Sequence, residues 1–162
     1  MTQIEEIITE YASRTKQLDS ILQELTKEFC ADKCFYRPYG CCGNNYSAGI
    51  PEEMLLLQEK EAKENGWNGK GKTSTKSTNN HCKYHTKKEG CRLKLYKPPI
   101  CIGFLCADLR QNINKKYGTE GEYFNELMYK FRHSRLDIGS HEAEKLFSYI
   151  DASIEVGKKL LS

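Results

Sequence analysis

The sequence contains no apolar run approaching the ~20 residues needed to cross a bilayer as a helix, which excludes a helical membrane protein. Met1 is followed by Glu5, Glu6 and Glu10 rather than by a basic and then apolar stretch. No secretory signal is read, and a cytoplasmic location is expected. There is no glycine loop to cradle phosphates and no nucleophile–base pair. Carboxylates occur in helical pairs such as Glu59 with Lys63, so no catalytic constellation is recognised. Cysteine is missing from both ends, with none before Cys30 and none after Cys106. Paired C-x2-C knuckles are absent too, which argues against a zinc finger or zinc ribbon.

What is present fits one soluble domain spanning 1–162. The 162 residues carry 25 Lys+Arg against 22 Asp+Glu, a net charge of +3, with 38% hydrophobic and 29% charged residues. Such a chain can bury a core, and its composition is not that of a disordered tail. Eight cysteines stand out. They fall below the roughly 8–10% of disulfide-stapled secreted scaffolds. In a reducing compartment that many thiols point to metal binding or redox chemistry.

Helical periodicity frames the cysteine region. In 1–29, Ile4, Tyr11, Leu18 and Leu25 recur every seven residues, interleaved with Ile8, Thr15, Leu22 and Phe29. Ile7 and Ile21 widen the stripe, so the expectation is a long core-facing helix rather than a coiled coil. A second helix is expected from Pro51, with Met54, Leu55 and Leu57 buried and Gly66 as terminator. The polar stretch 66–80 reads as a mobile loop, with Trp67 at its base. Pro98-Pro99 implies extended chain. Leu105, Leu109 and Ile113 mark a short helix ended by Gly118, the first of the C-terminal helices of 107–162. Tyr123 to Phe131 form a second helix, and a third has Ser140 as N-cap with a core face of Leu146, Phe147, Ile150, Ile154 and Leu160. The fold class is mainly α: a small helical domain into which an irregular cysteine-rich layer, 30–106, is tied.

The cysteines form two groups of four, Cys30-x3-Cys34-x6-Cys41-Cys42 and Cys82-x8-Cys91-x9-Cys101-x4-Cys106. Four thiolates complete one tetrahedral zinc site or one iron–sulfur cluster. Vicinal Cys41 and Cys42 could serve one ion across a sharp turn allowed by Gly40 and Gly43, or two ions that join the groups. Buried cysteines packing as small hydrophobes could explain Cys30 or Cys106. They do not explain four thiols in a short polar, glycine-rich stretch.

The run GCRLKLYKPPICIGFLC resembles the second half of the YkgJ-type zinc- or iron-chelating cysteine-cluster family. Cys91, Lys97-Pro98 and Cys101 fall at that family's spacing, with Leu93 at its aliphatic position. Cys82 matches the upstream cysteine, and Cys30, Cys34, Cys41 and Cys42 match the first cluster. That cluster is stretched here, and Lys97 stands where the family has Arg, which keeps a cation but loses the bidentate fork. The resemblance implies metal binding and covers seven of the cysteines; the count of two fours adds Cys106, so all eight are candidate ligands, with zinc and iron–sulfur both admissible.

Charge is unevenly spread. Residues 66–106 hold nine basic residues against Glu89 alone, a net of +8, while the remainder has a net of −5. Eight thiolates around two divalent ions would leave −4, so neighbouring lysines would stabilise the site. Nucleic acid is a poor fit, because no stacking platform or recognition motif accompanies the lysines. His81 and His85 flank Cys82 as reserve ligands; His133 and His141 near helix ends receive no role. The expected partner is a metal ion or cluster, with a protein partner open and no membrane. Two other classes stay open: a metal-dependent or thiol-redox enzyme using Cys41-Cys42, and a basic adaptor using the +8 segment.

Overall fold

The computed structural model describes residues 2–32, 45–69, 82–86 and 90–162. It is mainly α. In chain order the elements are α1 (Gln3–Asp32), α2 (Glu52–Glu64), β1 (His85–Thr86), β2 (Gly90–Cys91), α3 (Pro99–Gly103), α4 (Ala107–Arg132) and α5 (Ser140–Leu161). No helix among the described residues is long and apolar enough to cross a membrane.

Helices α1, α4 and α5 build the frame, with α5 packed against both of the others. The wide stripe of α1 is the reason it lies on a core: Ile8, Tyr11, Leu18, Ile21 and Leu22 are all buried. They meet Phe124, Leu127, Met128 and Phe131 of α4 and Leu146, Ile150 and Ile154 of α5. Thr15 is buried in this seam at 1% exposure, and its hydroxyl donates to the Tyr11 carbonyl one turn back, which satisfies it inside its own helix. Gly157 of α5 lies so close to α1 that a Cβ there would stand 2.6 Å from Ile21 Cγ2.

Gly118 interrupts the helix as expected, dividing Ala107–Arg132 into two helical arms. It sits at φ 62°, ψ −137° between the two arms of α4, a conformation that L side chains rarely adopt. Buried Asn125 stitches the two halves, donating to the Arg110 carbonyl (3.0 Å) and the Asn114 side-chain oxygen (2.6 Å).

Two expected boundaries differ. The N-cap of α5 is Gly139, with Ser140 as the first helical residue, because the φ of 134° at position 139 suits glycine alone. Pro98 is extended as expected, but Pro99 opens the one-turn helix α3, where its missing N–H costs nothing. His141 is the second residue of α5, at the positive end of its dipole, whereas His133 is the C-cap of α4. The expected loop 66–80 falls largely outside the described residues. Trp67, at its base, is buried beside Tyr84.

Candidate metal centre

The segment 82–101 lacks the periodicity that would bury it as a helix, so its backbone polar groups need other partners. Helix α2 supplies them from one face. Gln58, Glu61 and Asn65, spaced three and four apart, lie on a single helix side. The Gln58 amide is fully buried and donates to the carbonyls of Tyr46 (2.7 Å) and Tyr96 (2.8 Å). The Glu61 carboxylate accepts from the Lys94 and Leu95 N–H groups at 3.0 Å each. Asn65 donates to the Arg92 carbonyl at 2.6 Å. The sequence does not distinguish these three: their 3–4 spacing is a signal, but it reads as an ordinary solvated face.

Within this segment β1 and β2 form an antiparallel pair with His85 opposite Cys91 and Thr86 opposite Gly90. The two cysteines at its base have matching surroundings. Cys82 sulfur accepts the Tyr84 N–H at 3.4 Å, and Cys91 sulfur accepts the Leu93 N–H at 3.3 Å. In each case the donor lies two residues on, so the turn wraps around the sulfur. A backbone N–H aimed at sulfur favours the thiolate, because it offsets negative charge that burial would otherwise penalise. Cys82 is 5% exposed, so that compensation is needed.

Cys82, Cys91 and Cys101 line one cavity of about 320 Å³, walled also by Lys97, Tyr46 and Phe104. Cys101 is brought there by α3. Asn45 and Tyr46, the first described residues after Cys42, lie on the same wall. The chain therefore returns from its first cysteine group at the cavity that holds three members of the second.

Lys97 supplies positive charge. Its ammonium lies 2.8 Å from Asp19 Oδ2 of α1, with both side chains largely buried. Burial opposes the ammonium, but the Asp19 carboxylate outweighs it and Cys91 and Cys101 add to the pull. The Lys97 pKa is consequently held above the ordinary lysine value. Tyr11 donates its hydroxyl to the Lys97 carbonyl. Burial, then Cys101 and Asp19, keep that hydroxyl protonated well above the usual phenol range. Helix α1 thus fixes both the backbone and the ammonium of Lys97.

The remaining cysteines divide. Cys106 is the N-cap of α4; its sulfur accepts the Leu109 N–H at 3.4 Å, and its side chain packs on the main core. Cys30 lies exposed on the last turn of α1. Cys34, Cys41, Cys42 and His81 lie outside the described residues, and His85 sits in β1. Among the described residues no three His, Cys, Asp or Glu side chains gather closely enough to hold one metal ion. Three soft donors share a cavity there without closing on a common centre.

No family model, curated protein or solved structure matches this chain.

Proposed function

We propose that this protein binds a metal through its cysteine cluster, with Cys82, Cys91 and Cys101 as the ligands of its second half. Thiolates from Cys34, Cys41 and Cys42 complete the site from the first half. The observation that carries this reading is the pair of matching N–H-to-sulfur turns at Cys82 and Cys91, both opening on the cavity that Cys101 shares. Two cysteines packed merely as small hydrophobes have no need of backbone donors. The spacing shared with the YkgJ-type family points the same way. Zinc and an iron–sulfur cluster both accept such a donor set. The cytoplasm, where thiols stay reduced, is the compartment that suits it.

The role proposed is structural: the metal ties the two cysteine-bearing stretches to α2 and to the frame. Among the described cysteines, Cys106, spent as a helix cap, and Cys30, which does not line the cavity, are the least suited to join the centre. Protein purified without oxygen should contain at least one equivalent of zinc or of iron with acid-labile sulfide. Cys91→Ser should lose most of it, whereas Cys106→Ser should retain it. Less than one metal equivalent, with all eight thiols open to titration, overturns the proposal.

A further inference from the structure

Beside the cysteine cavity lies an arrangement of a different kind. The Lys83 ammonium stands over three aromatic rings at once, 4.7 Å from the centroid of Tyr46, 5.1 Å from Tyr84 and 5.2 Å from Trp67. The rings do not stack. Tyr46 and Trp67 meet Tyr84 edge-on, at interplanar angles of 73° and 75°, so their faces form a corner that converges on one point. Glu59 Oε1 lies 3.9 Å from the same nitrogen. Three ring faces and a carboxylate around one cation make a cage of the kind that recognises methylated ammonium groups.

We propose that Tyr46, Trp67 and Tyr84, with Glu59 at the rim, are a binding site for a methylated ammonium group, and that Lys83 occupies it as a built-in, displaceable plug. Three points support this. Heavy atoms in contact with a ring face lie about 3.5–4.0 Å from it, so the observed separations leave room for methyl groups on the nitrogen. A primary ammonium is compact and strongly hydrated, and it gives up more on leaving water than a methylated one. The exchange also conserves charge: one cation leaves the cage as another enters, and Glu59 keeps a counter-ion throughout. Access runs along the Lys83 stem, which is 20% exposed, and past Glu59, which is 46% exposed.

Trp67 is the sole tryptophan, so its fluorescence reports on this cage alone. The wild-type protein and Lys83→Met are titrated at constant ionic strength with tetramethylammonium, choline and 3,3-dimethylbutan-1-ol, the uncharged counterpart of choline. Both cations should give a saturable change in Lys83→Met at concentrations at least tenfold below those for wild type, with little response to the alcohol. Adding Glu59→Gln should weaken the cations several-fold. A peptide bearing trimethyl-lysine, set against its unmethylated twin, tells a protein-borne source from a free small molecule. If Lys83→Met does not fold, Lys83→Gln and the wild-type titration, carried to high tetramethylammonium, take its place. Absence of a saturable response in wild type and in the folded variant overturns the proposal and leaves the rings as packing only. Equal binding of the alcohol overturns it as well.

Discussion

The helical frame and the cysteine layer are held together by opposite means. In the frame, α1, α4 and α5 satisfy their own backbones, and side chains are left to pack: Tyr11, Phe124, Phe131 and Leu146 are each sealed from solvent. In the layer the backbone is not self-sufficient. Its small core of Ala62, Trp67, Cys82, Tyr84 and Leu93 is supplemented by Gln58, Glu61 and Asn65, whose side chains complete the hydrogen bonds of 46 and 92–96. One region is stabilised by area removed from water. The other depends on a few polar side chains and, in our reading, on a metal. Their sensitivities should therefore separate.

The widest separation is expected on metal removal. Chelation should abolish amide-exchange protection in 82–86 and 90–96 while α1, α4 and α5 keep theirs, because binding free energy is there folding free energy. For structural zinc that is an apparent ~10–16 kcal/mol at neutral pH. Equal loss of protection in frame and layer would erase the distinction. Phe124→Ala probes the other side. Removing a fully buried ring from the centre of the frame should cost about 3–5 kcal/mol in a denaturant melt. Unlike chelation, it should destabilise both regions, since the layer rests on α1 through the Lys97–Asp19 pair and the Tyr11 hydrogen bond.

Gln58→Ala strikes the layer without touching the frame. Two buried carbonyls lose their donor, at about 1–3 kcal/mol each before relaxation. Metal retention should weaken along with stability, and exchange near Tyr46 and Tyr96 should quicken ahead of exchange in α5. Loss confined to α5 would refute that placement. The Lys97–Asp19 contact has a pH signature. Because the lysine pKa is raised in the folded chain, its stabilisation is complete below the ordinary lysine range and fades as pH rises through the raised value. Wild type and Lys97→Met should therefore differ by a constant amount at neutral pH and converge only in strong alkali, as followed by melts across pH.

The same contrast explains what could be read from the residues alone. The seven-residue recurrence through Tyr11 and Leu18 identifies α1 because burial repeats with helical period, and Pro51 marks the start of α2, though as its extended N-cap rather than in the first turn. Gly118 announces a break, and its φ > 0 conformation does interrupt the helix there. Gln58, Glu61 and Asn65 escape notice because a polar helix face looks the same whether it meets water or another segment's backbone. At the site, spacing groups Cys82, Cys91 and Cys101 with Cys106, and the first three of these line one cavity. It does not set Cys106 apart, since a cysteine that caps a helix is written like one that faces a cavity. The aromatic corner at Lys83 draws on Tyr46, Trp67 and Tyr84, from three separate stretches, and no local pattern joins them.

The smallest effect is expected at Thr15, and its smallness is informative. Thr15 and Gln58 are both buried polar residues at helix positions that face other elements, yet they spend their hydrogen bonds differently. The Thr15 hydroxyl returns to the Tyr11 carbonyl, which already accepts from its own helix; the Gln58 amide serves two carbonyls that lie outside any helix. Thr15→Val keeps the branched shape, removes the donor together with its partner interaction, and orphans nothing that the helix does not already satisfy. The change in stability should stay within about 1 kcal/mol, in either direction, with metal content unaffected. A loss as large as that of Gln58→Ala would mean that the seam of α1 depends on specific polar contacts after all, and that frame and layer differ in degree rather than in kind.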